Sequence, residues 1–108
     1  MPYKKVKLAE ECAIQAFGID RDYYFNKRRS RRQEIVSVRQ VACALARHCS
    51  HLSWIVIAEG IGATNHGTAF WASKKCLDLS SCDKEYAKIY QKAKELYLAN
   101  LAEVNNNH

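Results

Sequence analysis

The stretch Ser53-Trp54-Ile55-Val56-Ile57-Ala58-Glu59-Gly60-Ile61-Gly62-Ala63-Thr64-Asn65-His66-Gly67-Thr68-Ala69-Phe70-Trp71-Ala72-Ser73-Lys74-Lys75-Cys76 decides the fold. It reads as a short apolar helix, a turn carrying glycines, and a second helix with a polar tip, which is helix-turn-helix grammar. The first turn of the second helix offers Thr64, Asn65, His66 and Thr68 together with backbone N–H groups that have no partner inside the helix. Such a tip is equipped to enter the major groove of a DNA duplex.

Little outside this stretch interrupts helix formation. The chain has one proline, Pro2, and four glycines, three of which lie between Gly60 and Gly67. A first helix is expected from about Lys5 to Phe17, with Ala9, Cys12, Ala13, Ala16 and Phe17 on one stripe and Gly18 as its stop. Asp20 is placed to cap a short helix through Phe25. The run Lys27-Arg28-Arg29-Ser30-Arg31-Arg32 repels itself and reads as an exposed loop. A third helix starting near Ser37 puts Val38, Val41, Ala42, Leu45 and Cys49 on an apolar stripe under the helix-turn-helix, with Arg39, Gln40 and Arg47 on its polar side. After a break at Ser80-Ser81, a last helix from about Asp83 to Val104 buries Tyr86, Ile89, Tyr90, Ala93, Leu96, Tyr97, Leu101 and Val104. The expectation is a compact, all-α single domain over residues 1–104, with the helix-turn-helix at about 53–80. Residues 105–108, Asn105-Asn106-Asn107-His108, read as a polar tail expected to fray.

Charge narrows the partner. The formal net charge is +6, and the excess sits in the first half: residues 1–48 hold eleven Lys and Arg against five Asp and Glu, the rest six against six. An anionic partner follows, and nucleic acid is favoured over a membrane surface because the basic residues do not line one strongly apolar helix. No run of about eighteen apolar residues is present, and the start lacks the apolar core of a signal peptide, so a cytoplasmic protein is expected. Cys12, Cys43, Cys49, Cys76 and Cys82 make an odd count. Four fall on apolar or near-apolar helical positions, as reduced, buried thiols would. Cys43-x5-Cys49, Cys76-x5-Cys82 and His48-x2-His51 do not have zinc spacing, and no Cys-x2-Cys pair exists, so no metal is expected.

The segment Arg39-Gln40-Val41-Ala42-Cys43-Ala44-Leu45-Ala46-Arg47, followed by Ile57-Ala58, Gly62, His66, Thr68, Ala72 and Lys75, resembles the C-terminal DNA-binding domain of the bacterial replication initiator DnaA. That family has a Lys-Arg-Arg loop before an Arg-Gln-x-Ala helix, and a Gly-x-Arg-Asp-His-Thr-Thr-Val-x-His-Ala-x-x-Lys signature opening its recognition helix. This chain supplies Lys27-Arg28-Arg29, Arg39-Gln40-x-Ala42 and Gly62-x-Thr64-Asn65-His66-Gly67-Thr68-Ala69-x-Trp71-Ala72-x-x-Lys75. The resemblance implies a Trp-repressor-like helical fold and binding of double-stranded DNA. It assigns Arg29 to the minor groove, His66 and Asn65 to base edges in the major groove, and Arg39, Gln40, Arg47, Thr64, Thr68 and Lys75 to backbone or groove-side positions. Arg28, Arg31 and Arg32 of the basic loop join them as phosphate and minor-groove contacts.

The chain also departs from the family. Thr64 stands for its arginine, Asn65 for its aspartate and Gly67 for its first threonine. Aspartate accepts from cytosine N4, whereas asparagine pairs best with adenine, so the preferred site is expected to differ. Trp71 replaces a histidine and reads as a partly buried core aromatic or a groove wall. No Gly-x4-Gly-Lys-Ser/Thr loop is present, so no ATP or other cofactor is expected, and no nucleophile sits in a recognisable setting, so no enzyme is expected. A role in replication initiation or its regulation follows from the resemblance. The competing readings are a small transcriptional repressor and a protein- or RNA-interaction module on the same helical core.

Overall fold

The structure, a computed structural model, describes residues 2–106, with side chains for residues 3–103. Among them are six helices and no strand: α1 (Pro2–Phe17), α2 (Arg21–Asn26), α3 (Gln33–His48), α4 (Trp54–Gly60), α5 (His66–Cys82) and α6 (Lys84–Asn106). The side chain of Val104, and Asn107 and His108 of the proposed tail, lie outside the described residues. Asn105 and Asn106 continue α6.

Three boundaries differ from expectation. First, α1 begins three residues early, because proline is tolerated in a first helical turn where its missing N–H has no partner to lose. Secondly, α3 begins at Gln33, directly after the basic run and four residues before the expected Ser37. Glu34 in its first turn suits the helix dipole and accepts from the Tyr23 hydroxyl at 2.9 Å. Its carboxyl is held below the usual range by its own backbone N–H and then by Tyr23. Thirdly, α5 runs straight through Ser80-Ser81. The Ser81 hydroxyl donates to the Asp78 carbonyl at 2.7 Å, so the polar side chain is satisfied without leaving the helix. The break comes at Asp83, whose extended backbone and carboxylate, accepting from the Tyr86 N–H at 3.1 Å, start α6. Asp20 caps α2 as the sequence implies, accepting from the Tyr23 N–H at 2.9 Å.

The core is organised around α3, which is buried almost all round from Ser37 to Ala46. It packs on α5 on one side and on α1 on another, and α6 closes against α1. Its small residues Ala42, Cys43, Ala44 and Ala46 admit this close approach, and Leu45 anchors it at 0% exposure. Truncating Leu45 to alanine costs about 2–5 kcal/mol. Tyr97 ties the far end together: its hydroxyl meets that of Ser50 at 2.6 Å and donates to the Lys5 carbonyl at 3.2 Å.

Two glycines set the helix-turn-helix onto this frame. A Cβ on Gly60 would lie 2.7 Å from the Val6 Cβ, so α4 meets α1 only because that position is bare. Gly62 turns the chain at φ +80°, a left-handed conformation that an L side chain resists.

Candidate nucleic-acid interface

The tip of α5 is built by its cap. The Asn65 side-chain oxygen accepts from the Gly67 N–H at 2.7 Å, and the backbone there is extended before turning helical. Thr64, Asn65, His66 and Thr68 are all exposed. The cap has a chemical consequence. A backbone N–H can be met only by the oxygen of the amide, so the cap engages one of that oxygen's two lone pairs and leaves the two donors of the exposed Asn65 NH2 group unused by it. Those donors can meet acceptor edges such as guanine N7 and O6 or thymine O4, and the second lone pair of the amide oxygen keeps the pairing with adenine expected from sequence available.

Beside the tip stands the basic loop, residues 27–32, and its arginines divide into two groups. Arg28 is an anchor: its Nε and Nη2 donate to Glu10 at 2.9 and 2.6 Å, and Nη2 also donates to the Gly60 carbonyl. Glu10 is fully buried on α1 and also accepts from the Tyr24 hydroxyl at 2.5 Å. Burial and this carboxylate push the Tyr24 hydroxyl well above its ordinary pKa, so it stays a donor. Where the sequence placed Arg28 among the DNA contacts, the structure turns it to Glu10, because a buried carboxylate demands a partner and Arg28 is the cation within reach. Arg39 has a related task, donating to the Arg28 and Ser30 carbonyls at 2.5 and 3.0 Å and so fixing the loop backbone.

The remaining loop arginines face outward. Arg29 reaches across to the Gly62 carbonyl at 2.6 Å, joining loop to turn, and Arg31 and Arg32 are exposed. Between loop and tip lies a cleft of about 370 Å³ whose walls include Arg28, Arg29, Arg31, Arg39, Thr64 and Thr68. Cationic forks and hydroxyl donors around one concavity match phosphate oxygens.

Three other expected positions fall elsewhere. Gln40 is not on a polar face: it is 7% exposed, and its side-chain oxygen accepts from the Tyr86 hydroxyl at 3.0 Å. The assumed polar side of α3 does not exist there, since α5 and α6 both pack against α3. Arg47 donates to the Leu52 carbonyl at 3.0 Å and covers the Trp54 ring at 4.6 Å, supporting α4 away from the cleft. Lys75 is exposed two turns beyond Gly67 on α5.

Sequence reasoning overlooked Glu10 and Tyr24 as the base of the loop. The signal was present: Glu10 sits one helical turn from both Val6 and Ala13, on the buried face of α1. Trp71 is 64% exposed and is not part of the core. Among the thiols, burial pushes Cys12 up to about 11, Cys43 to about 12 and Cys76 to about 11, which keeps them protonated and inert near neutral pH. Cys82 is exposed.

Comparison with known proteins bears on this geometry. Over 85 residues, 79% of this chain, the sequence is 32% identical to the chromosomal replication initiator protein DnaA of Synechococcus sp. (strain JA-2-3B'a(2-13)). The chain is similar to DnaA over this span. It spans about 18% of the length of that relative. Any 85-residue span of this 108-residue chain takes in residues 24–85, so the similarity to DnaA covers the basic loop and the helix-turn-helix together. No protein-family model and no solved structure matches the chain. No helix among the described residues is long and apolar enough to cross a membrane, and no three His, Cys, Asp or Glu side chains there are grouped to hold a metal ion.

Proposed function

We propose that this chain binds double-stranded DNA with sequence preference, laying the tip of α5 in the major groove and the basic loop along the adjacent minor groove. It rests on one observation: Arg28, Arg29, Arg31 and Arg39 line a single cleft together with the exposed Thr64 and Thr68, and Asn65 and His66 are exposed on the same helix tip. His66 and Asn65 read base edges, Arg29, Arg31 and Arg32 engage phosphates and the minor groove, and Arg28, Arg39 and Gln40 hold the frame. Thr64 and Thr68 beside the tip, and Lys75 farther along α5, add backbone contacts. Similarity to DnaA supports a place in replication initiation or its regulation, carried out in the cytoplasm by binding alone, without catalysis.

Fluorescence anisotropy of a labelled duplex in rising salt tests this. With three or more phosphates neutralised, the logarithm of the affinity falls against the logarithm of salt with a slope of about −3 or steeper. A flat response, or tighter binding to an RNA hairpin than to duplex DNA, would favour the interaction-module alternative.

A further inference from the structure

We infer that Trp71 is a base-contacting residue that reads the C5-methyl group of thymine in the major groove; this rests on the duplex-binding proposal and extends it. Three observations converge. Trp71 is the most exposed large hydrophobic side chain among the described residues, at 64%. It is nonetheless held in place, because its ring meets Phe70 edge-on at 5.2 Å and Phe70 meets Trp54 edge-on at 5.4 Å. Trp54 is in turn covered by the Arg47 guanidinium at 4.6 Å. An aromatic side chain fixed by such a stack presents apolar surface with little ordering left to do on binding.

Its position selects the occupant. Four-residue spacing puts Gly67, Trp71 and Lys75 on one strip of α5, with Thr68 and Lys74 on neighbouring strips. Helical side chains lean toward the amino terminus, so the indole leans over the turn of Gly67, which has no side chain of its own to hold a partner off. The strip is cationic at one end and joins the arginine cleft through Thr68 at the other. That complementarity fits a polyanion with an apolar edge in its groove. In the major groove the thymine methyl is that edge.

Two readouts on the full chain test the inference. The first compares binding of random short duplexes synthesised with thymidine or with deoxyuridine, which lacks the methyl. The parent is expected to bind the deoxyuridine pool about fourfold more weakly. Trp71→Ala is expected to bind both pools equally. The second uses Trp54→Phe, which leaves Trp71 as the sole indole of the two in the sequence. Saturating duplex should then shift Trp71 emission and shield it from iodide.

Duplex binding that leaves iodide quenching unchanged, with the same deoxyuridine penalty in parent and Trp71→Ala, overturns the role of Trp71 while leaving the duplex-binding proposal standing. Absence of duplex binding overturns both. If Trp54→Phe does not fold, the deoxyuridine comparison decides alone.

Discussion

Replacing Glu10 with alanine removes the one carboxylate beneath the basic loop. Glu10 is 0% exposed and its Arg28 partner 28%, with three hydrogen bonds converging on the carboxylate from Arg28 and Tyr24. Breaking a buried pair by deleting one member costs about 3–5 kcal/mol. The partial exposure of Arg28 lets its charge find water, which sets the Arg28 share near the lower bound. The Tyr24 hydroxyl, fully buried, loses its acceptor and adds about 1 kcal/mol. About 4 kcal/mol in all is a large part of the stability of a domain this size, and it lowers the melting temperature by roughly 15 °C. Urea titration followed by circular dichroism measures it. The double variant Glu10→Leu/Arg28→Met should recover most of the loss while still binding duplex DNA more weakly, since the loop has lost its tether. A loss below about 1 kcal/mol for Glu10→Ala would refute the reasoning, because the carboxylate would then not be the anchor.

The other predictions follow from single contacts. Arg31→Ala should leave stability within about 0.5 kcal/mol of the parent and reduce the salt slope of duplex binding by about one, read by anisotropy. Asn65→Asp keeps the cap oxygen but presents an acceptor in place of the NH2 group, so selection from random duplexes should move the preference at that position toward cytosine. Burial, then Arg47, holds the His48 imidazole below its ordinary pKa. The unfolded chain therefore takes up that proton first as pH falls: stability is complete above about pH 6.5 and declines below it, measured by urea midpoints, and His48→Gln should flatten the decline.

The helix-turn-helix was legible because its signals are local: Ser53 and Asn65 cap their helices, and Gly62 turns between them. The long periodic run of α6 was legible for the same reason. The inward turn of Arg28 and Gln40 was not legible because their partners lie far along the chain, Glu10 at 18 residues and Tyr86 at 46. A basic run gives no local sign of which arginine turns inward. Likewise α3 has a clear apolar stripe, yet small residues on its other sides let a second and a third helix cover what periodicity marks as polar. The sequence left Trp71 between a partly buried core position and an exposed one, because an apolar side chain at helical spacing fits either until the neighbouring helices are placed.

Dimethyl sulfate footprinting on a duplex selected by the protein tests the central claim most directly, since the reagent reports guanine N7 in the major groove and adenine N3 in the minor groove. Protection of guanine N7 over one short run, with adenine N3 protected in the minor groove immediately beside it, is the expected pattern, and Arg29→Ala should erase only the second. Protection confined to one groove, or none on a duplex that is demonstrably bound, would contradict a two-groove grip by the α5 tip and the arginine loop.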